Sequence, residues 1–247
     1  MAAKVVAVIP ARLNSQRFPN KVIYPWQGKP LLFYVYNEAR KAKNIDRVVV
    51  ATDNKLVQKA VAPLGMEVVL TSSRHRTGSD RVAEVMAKIS GDIIVNIQAD
   101  NLGLKAPVLD RSIEKMIEDS SIGFATLARR LRTDEELFDP NVVKVVVAKD
   151  GWALWFSRYP IPYLRSAVEK NRAQQFHFLR HVGIYFFRRK ALKRFAKWKR
   201  SSLERAESLE QLRILENGEP IKVFRTAMRS VSVDTAQDLK KLKGIYQ

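Results

Sequence analysis

Three short runs, VVAVI (5–9), RVVVA (47–51) and DIIVNI (92–97), decide most of what this chain can fold into. They are apolar and rich in β-branched residues without alternation, so strands built from them must be covered on both faces. Amphipathic segments with helical spacing lie between and after them: Leu31 to Lys41, Leu56 to Ala62, Asp80 to Lys88 and Pro107 to Asp119. A further short strand is expected from Glu67 to Thr71. Apolar strands alternating with amphipathic helices assemble by crossover connections, so the first 130 residues are predicted to form a doubly wound, parallel α/β sheet.

Beyond about residue 130 the pattern changes. Strand-like VVKVVV (142–147), WALWF (152–156) and HVGIYFF (181–187) are separated by a basic, proline-bearing loop, which predicts an antiparallel extension over about 130–190. Helical spacing returns from Leu203 to Leu215, followed by the strand IKVF and a last helix opened by Asp234 and Thr235 as an N-cap pairing. The 247 residues hold no internal repeat or flexible linker, and the expectation is one α/β domain, 1–247, with the extension inside it. No apolar run approaches the roughly 18 residues of a membrane span, so no membrane insertion is expected. Val5 to Pro10 is too short for a signal peptide, and the absence of cysteine excludes disulfides and thiolate chemistry. A cytoplasmic setting is compatible with both observations.

Lys and Arg total 44 against 25 Asp and Glu, a net charge of +19, which predicts an anionic ligand. The excess is spread thinly and accompanies no nucleic-acid motif, so specific nucleic-acid binding is not expected. No two of the ten glycines lie closer than 12 positions, which excludes both GxGxxG and Walker-type phosphate loops. Any phosphate must then be held by side chains. His177 and His181 have i, i+4 spacing, but no Glu follows the first, so zinc-protease chemistry is not indicated; His181 reads as a pocket or core histidine.

In open parallel sheets ligands gather beyond the carboxyl ends of the strands. The loop after the first strand carries Arg12, Arg17 and Lys21, a set that suits a triphosphate or, equally, a solvated basic loop. After the strand 92–97 come Gln98 and Asp100, hard oxygen donors of the kind a Mg²⁺ bridging phosphates takes; Asp100 capping a turn is the competing reading. Asp234 stands at another strand-to-helix junction, as a cap, a second metal ligand, or both.

Taken together these loops resemble one family, the 3-deoxy-manno-octulosonate cytidylyltransferases, or CMP-Kdo synthetases. The resemblance rests on VIPARLNSQRFPNK (8–21), GKP (28–30), VVVATD (48–53), HRTGSDRVAE (75–84), NIQAD (96–100), FDPNVVKVV (138–146), FSR (156–158), RHVGIYFF (180–187), LEQLR (209–213) and SVDT (232–235). It implies a sheet of nucleotide-sugar pyrophosphorylase type, a Mg²⁺-dependent homodimer joined through the extension, and transfer of CMP from CTP to the acidic eight-carbon sugar Kdo for lipopolysaccharide or capsule assembly. It further implies that Ala11, Arg12, Arg17, Lys21, Thr77, Ser79, Arg81 and Gln98 hold the nucleotide. Gln98, Ser157, Arg158, His181, Tyr185, Glu210 and Gln211 would meet the sugar, Asp100 and Asp234 would bind metal, and Arg12 and Lys21 would join those two aspartates in catalysis.

The chain departs from the family at one loop. Members usually read Gln-Gly-Asp-Glu-Pro where this sequence has Gln98-Ala99-Asp100-Asn101-Leu102. Alanine restricts the backbone wherever φ is positive, and the missing Glu and Pro remove a charge and a stiffener. Kdo itself, a relative aminated at C8, or weakened catalysis with retained nucleotide binding are the three expectations that follow.

Overall fold

The computed structural model describes residues 3–13, 18–75, 77–165, 170–228, 231–233, 236–244 and 246. They divide into two compact units: Met1–Ser120 with Ile184–Ala196 and Met228–Gln247, and Ser121–Gly183 with Lys197–Ala227. The sequence suggests one domain with an extension at about 130–190; the second unit begins earlier and also takes in the stretch from Lys197 to Ala227.

The first unit opens with β1 (Val5–Pro10), a hairpin of β2 (Pro25–Trp26) and β3 (Lys29–Pro30), and helix α1 (Leu31–Arg40). It continues through β4 (Arg47–Thr52), α2 (Lys55–Val61), β5 (Val68–Leu70), α3 (Gly78–Lys88), β6 (Ile93–Ile97), β7 (Asn101–Leu102) and α4 (Ala106–Glu118). In the second unit lie β8 (Phe124–Arg130), α5 (Asp134–Phe138), β9 (Lys144–Val147), β10 (Ala153–Ser157) and α6 (Arg172–Gln175). Strand β11 (Leu179–Arg188) gives its residues up to Gly183 to the second unit and the rest to the first, which adds α7 (Arg189–Phe195). The second unit resumes with α8 (Ser202–Glu207), α9 (Leu212–Glu216) and β12 (Ile221–Arg225); β13 (Val231–Ser232) and α10 (Leu239–Leu242) return to the first.

Every residue of β1 is buried, as unalternating apolar strands require. β1 pairs in parallel with β4 on one side and β6 on the other, β4 pairs in parallel with β5, and β11 closes the row antiparallel to β6. The expected parallel α/β sheet is therefore present, mixed at one edge. The row β5-β4-β1-β6 reverses direction of growth at β1 and β6, which makes the ends of those two strands the topological switch point. In the second unit β9 and β10 pair antiparallel, as expected, while β12 lies parallel to β8.

Two elements depart from the sequence reading. The last helix, expected to be opened by Asp234 and Thr235, is α10 with Asp238 at its N-cap, after a 3-10 turn at Ala236–Asp238. The helix expected from Leu203 to Leu215 is two, α8 and α9, broken at Ser208, whose φ of 52° is left-handed. Arg213 donates to both carboxylate oxygens of Glu204 at 2.7 Å, and both side chains are buried. That ion pair joins α9 to α8 across the break, a contact that periodicity alone does not reveal.

Much of the arginine is used inside the fold. Arg189 donates to the carbonyls of Met86 (2.7 Å), Ile89 (2.9 Å) and Gly91 (3.3 Å), closing the carboxyl end of α3. Arg188 does the same for α4 through Met116 and Asp119. Unsatisfied carbonyls and the negative end of the helix dipole make these favourable positions for a guanidinium. Lysine keeps the charge but not the fork, so Arg189→Lys should lose about 1–3 kcal/mol in urea unfolding. An unchanged unfolding midpoint would show that the three carbonyls need no such donor.

Candidate active site

Parallel pairing puts the carboxyl ends of β1 and β6 side by side, with Val8 opposite Asn96. Ala11 follows β1 directly, and its N–H donates to Ala51 O at 2.8 Å, prolonging the ladder into the loop. Lys21 opens a single turn of 3-10 helix, preceded by Asn20 in the left-handed conformation. The Lys21 ammonium lies 2.9 Å from Asp100 Oδ2, and both side chains are only partly exposed. The basic loop after β1 and the carboxylate after β6, separated by 79 residues, therefore meet at the switch point.

Helix α3 begins at the same place. Thr77 and Asp80 form a reciprocal capping box, Asp80 N donating to Thr77 Oγ1 at 3.1 Å. Gly78 is seated so tightly that a Cβ would stand 3.0 Å from Gln98 Nε2 and 3.3 Å from Pro10 Cγ. Buried Asn96 donates to Ser79 Oγ at 3.0 Å and accepts from Gln98 Nε2 at 3.3 Å, linking the start of α3 to the end of β6. Arg12 donates to the carbonyls of His75 and, at 3.4 Å, Thr77. A cavity of about 360 Å³ opens beside it, lined by Arg12, Leu13, Asp53, Asn54, Ser73 and His75.

Arg81 is fully buried, paired with Asp53 Oδ2 at 3.1 Å and donating to Thr71 Oγ1, so it backs the cavity wall through Asp53. His75 Nε2 sits 2.5 Å from Glu84 Oε2. Partial burial works against the Glu84 charge, but Lys88, the Ser72 N–H and His75 outweigh it and hold the carboxyl at about 2.

The loop 99–102 answers the concern about its missing glycine. Ala99 is not in the left-handed region; Gly103, just beyond β7, is, at φ 84°. Asn101 N donates to Gln98 O at 3.0 Å and Leu102 N to Asp100 O at 2.9 Å, so the segment is a tight turn. β7 pairs with β13, placing Ser232 opposite Asn101. Arg17 and Asp234 themselves lie outside the described residues.

Among the sugar-side residues, Tyr185 belongs to the first unit, where it is buried opposite Asn96 and stacks on Phe187 at 6.0 Å. Ser157, Arg158, His181, Glu210 and Gln211 belong to the second unit. Ser157 Oγ donates to Glu207 Oε1 at 2.7 Å and Arg158 N to Glu207 Oε2 at 2.9 Å. Arg158 also bonds the carbonyls of Glu207 (2.6 Å) and Pro140 (2.9 Å). Glu207 is thus an anchor that sequence reasoning missed, since nothing in the local sequence ties it to a strand 50 positions away. His181 Nε2 is 2.8 Å from Thr126 Oγ1 and its ring meets Phe156 edge-on. Gln211 is buried and Glu210 half-buried. Lys144, also missed, is fully buried in β9 with Nζ 3.1 Å from Asp139 O; burial lowers its pKa to about 8 despite the opposing pull of Asp139 and Glu207.

Comparison with known proteins settles the lineage. The sequence pattern of the cytidylyltransferases matches residues 6–222. The chain belongs to the cytidylyltransferase family. It is 43% identical over 244 residues to the 3-deoxy-manno-octulosonate cytidylyltransferase of Geobacter metallireducens, covering 97% of this chain and 96% of that one. The Geobacter sulfurreducens enzyme of the same name is 42% identical over 243 residues, with 96% and 97% covered. Among solved structures, a CMP:2-keto-3-deoxy-manno-octonic acid synthetase in complex with CTP superposes with a TM-score of 0.90 at 37% identity, covering 98% of each chain. The inositol-1-phosphate CTP transferase of T. maritima, at 16% identity and TM-score 0.67 over 100% of this chain and 98% of that one, shares the fold. The family expected from the loops is therefore the family found.

Burial first, and the neighbouring Arg180 charge second, depress the His181 pKa to about 3. Its folded pKa lies below the unfolded value of about 6.5, so the unfolded chain takes up more protons between those values. Stability should accordingly fall as pH drops from about 6.5 towards 3, by up to about 1.4 kcal/mol per pH unit from this group. Urea unfolding at pH 7 and pH 5 should show a shallower loss in His181→Gln than in the parent; equal losses would mean the ring is protonated in the fold.

Proposed function

We propose that this cytidylyltransferase couples CTP to 3-deoxy-manno-octulosonate, giving CMP-Kdo and pyrophosphate. The observation that carries the reading is the Lys21–Asp100 pair at the switch point, in a chain so similar to a synthetase solved with CTP. The anomeric hydroxyl of the sugar attacks the α-phosphorus of CTP in line. A new P–O bond forms as the hydroxyl proton passes to water, the bond from the α-phosphorus to the bridging oxygen breaks, and pyrophosphate departs with the electron pair. Arg12, Arg17 and Lys21 neutralise the negative charge that gathers on the triphosphate. Thr77, Ser79 and Arg81 shape the nucleoside end: Thr77 and Ser79 through the start of α3, and Arg81 by fixing Asp53 in the cavity wall. Gln98 lies between the substrates; Ser157, Arg158, His181, Tyr185, Glu210 and Gln211 receive the sugar.

The donor set at the end of β6 fits Mg²⁺, which takes one or two carboxylates and keeps several waters. Asp100 already attracts one cation, the Lys21 ammonium. Asp100 and Asp234 would hold the ion, which when bound supplies charge neutralisation on the phosphates. The pairing of Ser232 with Asn101 supports bringing the two aspartates to one site, since each stands within two positions of that pair. Among the described residues no cluster of three or more His, Asp or Glu offers a different metal centre.

Leu154, Tyr159 and Tyr163 of the second unit are strongly exposed, the tyrosines at 76% and 80%. Exposed apolar groups of this size mark contact surfaces, which supports a homodimer joined through residues 130–190. No described helix is long and apolar enough to cross a membrane; the cytoplasm, where CTP is made, is the setting that the proposed reaction calls for.

Pyrophosphate release from CTP and Mg²⁺ should require Kdo, and Asp100→Ala should lower turnover by at least about 10²-fold. Turnover only with an 8-amino sugar would move the substrate assignment; CTP binding with no turnover on any octulosonate would mark a weakened homologue. Light scattering should give twice the monomer mass, and Tyr159→Lys with Tyr163→Lys should halve it.

A further inference from the structure

We propose that Tyr246 is a positioning residue for the Lys21–Asp100 pair, tying together the two chain segments that carry it. The inference rests on the placement of that pair at the reacting centre, and deepens it.

On one side, Lys21 is joined to Trp26 by a short, well-bonded path. Tyr24 N donates to Lys21 O at 3.1 Å and Ile23 N to Asn20 O at 3.0 Å. Trp26 then sits in the β2–β3 hairpin, whose turn residues Gln27 and Gly28 are both left-handed, at φ 46° and 75°. Two left-handed residues in a two-residue turn match the strand twist and make a tight hairpin.

On the other side, Asp100 is joined to Gly103 by the tight turn from Gln98 to Leu102, so a shift at Gly103 passes to the carboxylate. The Gly103 N–H donates to Tyr246 Oη at 3.0 Å. The Tyr246 ring packs against Trp26 at 5.6 Å and Tyr34 at 5.1 Å, while Trp26 and Tyr34 meet edge-on at 4.9 Å. Tyr34 Oη donates to Trp26 O at 2.7 Å, fixing the indole segment in turn.

One residue thus touches both segments, by its ring on the Lys21 side and by its oxygen on the Asp100 side. The turn is held from outside by a phenol. Misplacement of reacting groups by as little as about 1 Å costs up to about 10²-fold in rate, so a partial loosening here is readable in kcat.

Tyr246→Phe keeps the ring packing and removes the acceptor. In the full chain with CTP, Mg²⁺ and Kdo, kcat should fall roughly 3- to 10-fold with KM for CTP within about twofold of the parent, because the pair is disturbed and the nucleotide pocket is not. CTP-binding stoichiometry by calorimetry should stay at the parent value, which a general loss of folded protein would lower. Exchange of the Gly103 amide, followed by mass spectrometry, should quicken by about tenfold or more as its bond is lost. Tyr246→Ala should lower kcat further and raise the Mg²⁺ concentration needed for half-maximal rate. Parent-like kcat in both variants, or unchanged Gly103 exchange in Tyr246→Phe, overturns the proposal. Lys21→Ala in the same assay separates the two readings. Its loss of activity beside unaffected Tyr246 variants removes the clasp alone. Parent-like turnover in both Lys21→Ala and Asp100→Ala removes the active-site reading, with Gly103 exchange still reporting on the tie.

Discussion

Everything functional in the first unit follows from one constraint, that β1 lies between two parallel neighbours. Parallel strands leave their carboxyl ends on one side of the sheet, and right-handed crossovers return the chain to the other side each time. The basic loop after β1, the polar cavity loop after β4 and the Asp100 turn after β6 are therefore delivered to the same edge without any contact having to pull them there. The Lys21–Asp100 contact then locks what topology has already brought near. A glycine-rich cradle is unnecessary because cations and a helix start converge instead. Gly78 allows the close approach of that helix start to Gln98 and Pro10.

The strong positive charge has a partly structural origin. Arg188 and Arg189 satisfy carbonyls at the ends of α4 and α3, Arg158 binds three carbonyls as well as approaching Glu207, and Arg213 neutralises buried Glu204. Arg129 and Arg180 share Glu136 in the same way. Guanidinium groups serve here as multiply branched donors where backbone acceptors would otherwise be left over. Such use needs no anionic ligand.

The elements legible from sequence were those whose burial sets a clean period. RVVVAT is a strand from its first residue to its last, and α1 and α4 end within a residue of where their apolar spacing stops. Spacing failed between Leu203 and Leu215, where a buried ion pair overrides helical continuity. At the site, Asp100 and Lys21 were readable because both follow strands. Asp53 and Asn54 stand at an equally informative place after β4, and the same rule would have found them. Glu207 and Lys144 were not readable: their importance depends on partners far along the chain, and single residues carry no period.

The position of the left-handed residue after β6 decides which substitutions the loop tolerates. Because the left-handed residue is Gly103 and not position 99, alanine at 99 is unstrained, and glycine in its place would mainly add freedom to the unfolded chain. At 103 a side chain would meet the strain of a left-handed backbone, whereas 99 admits alanine and glycine alike.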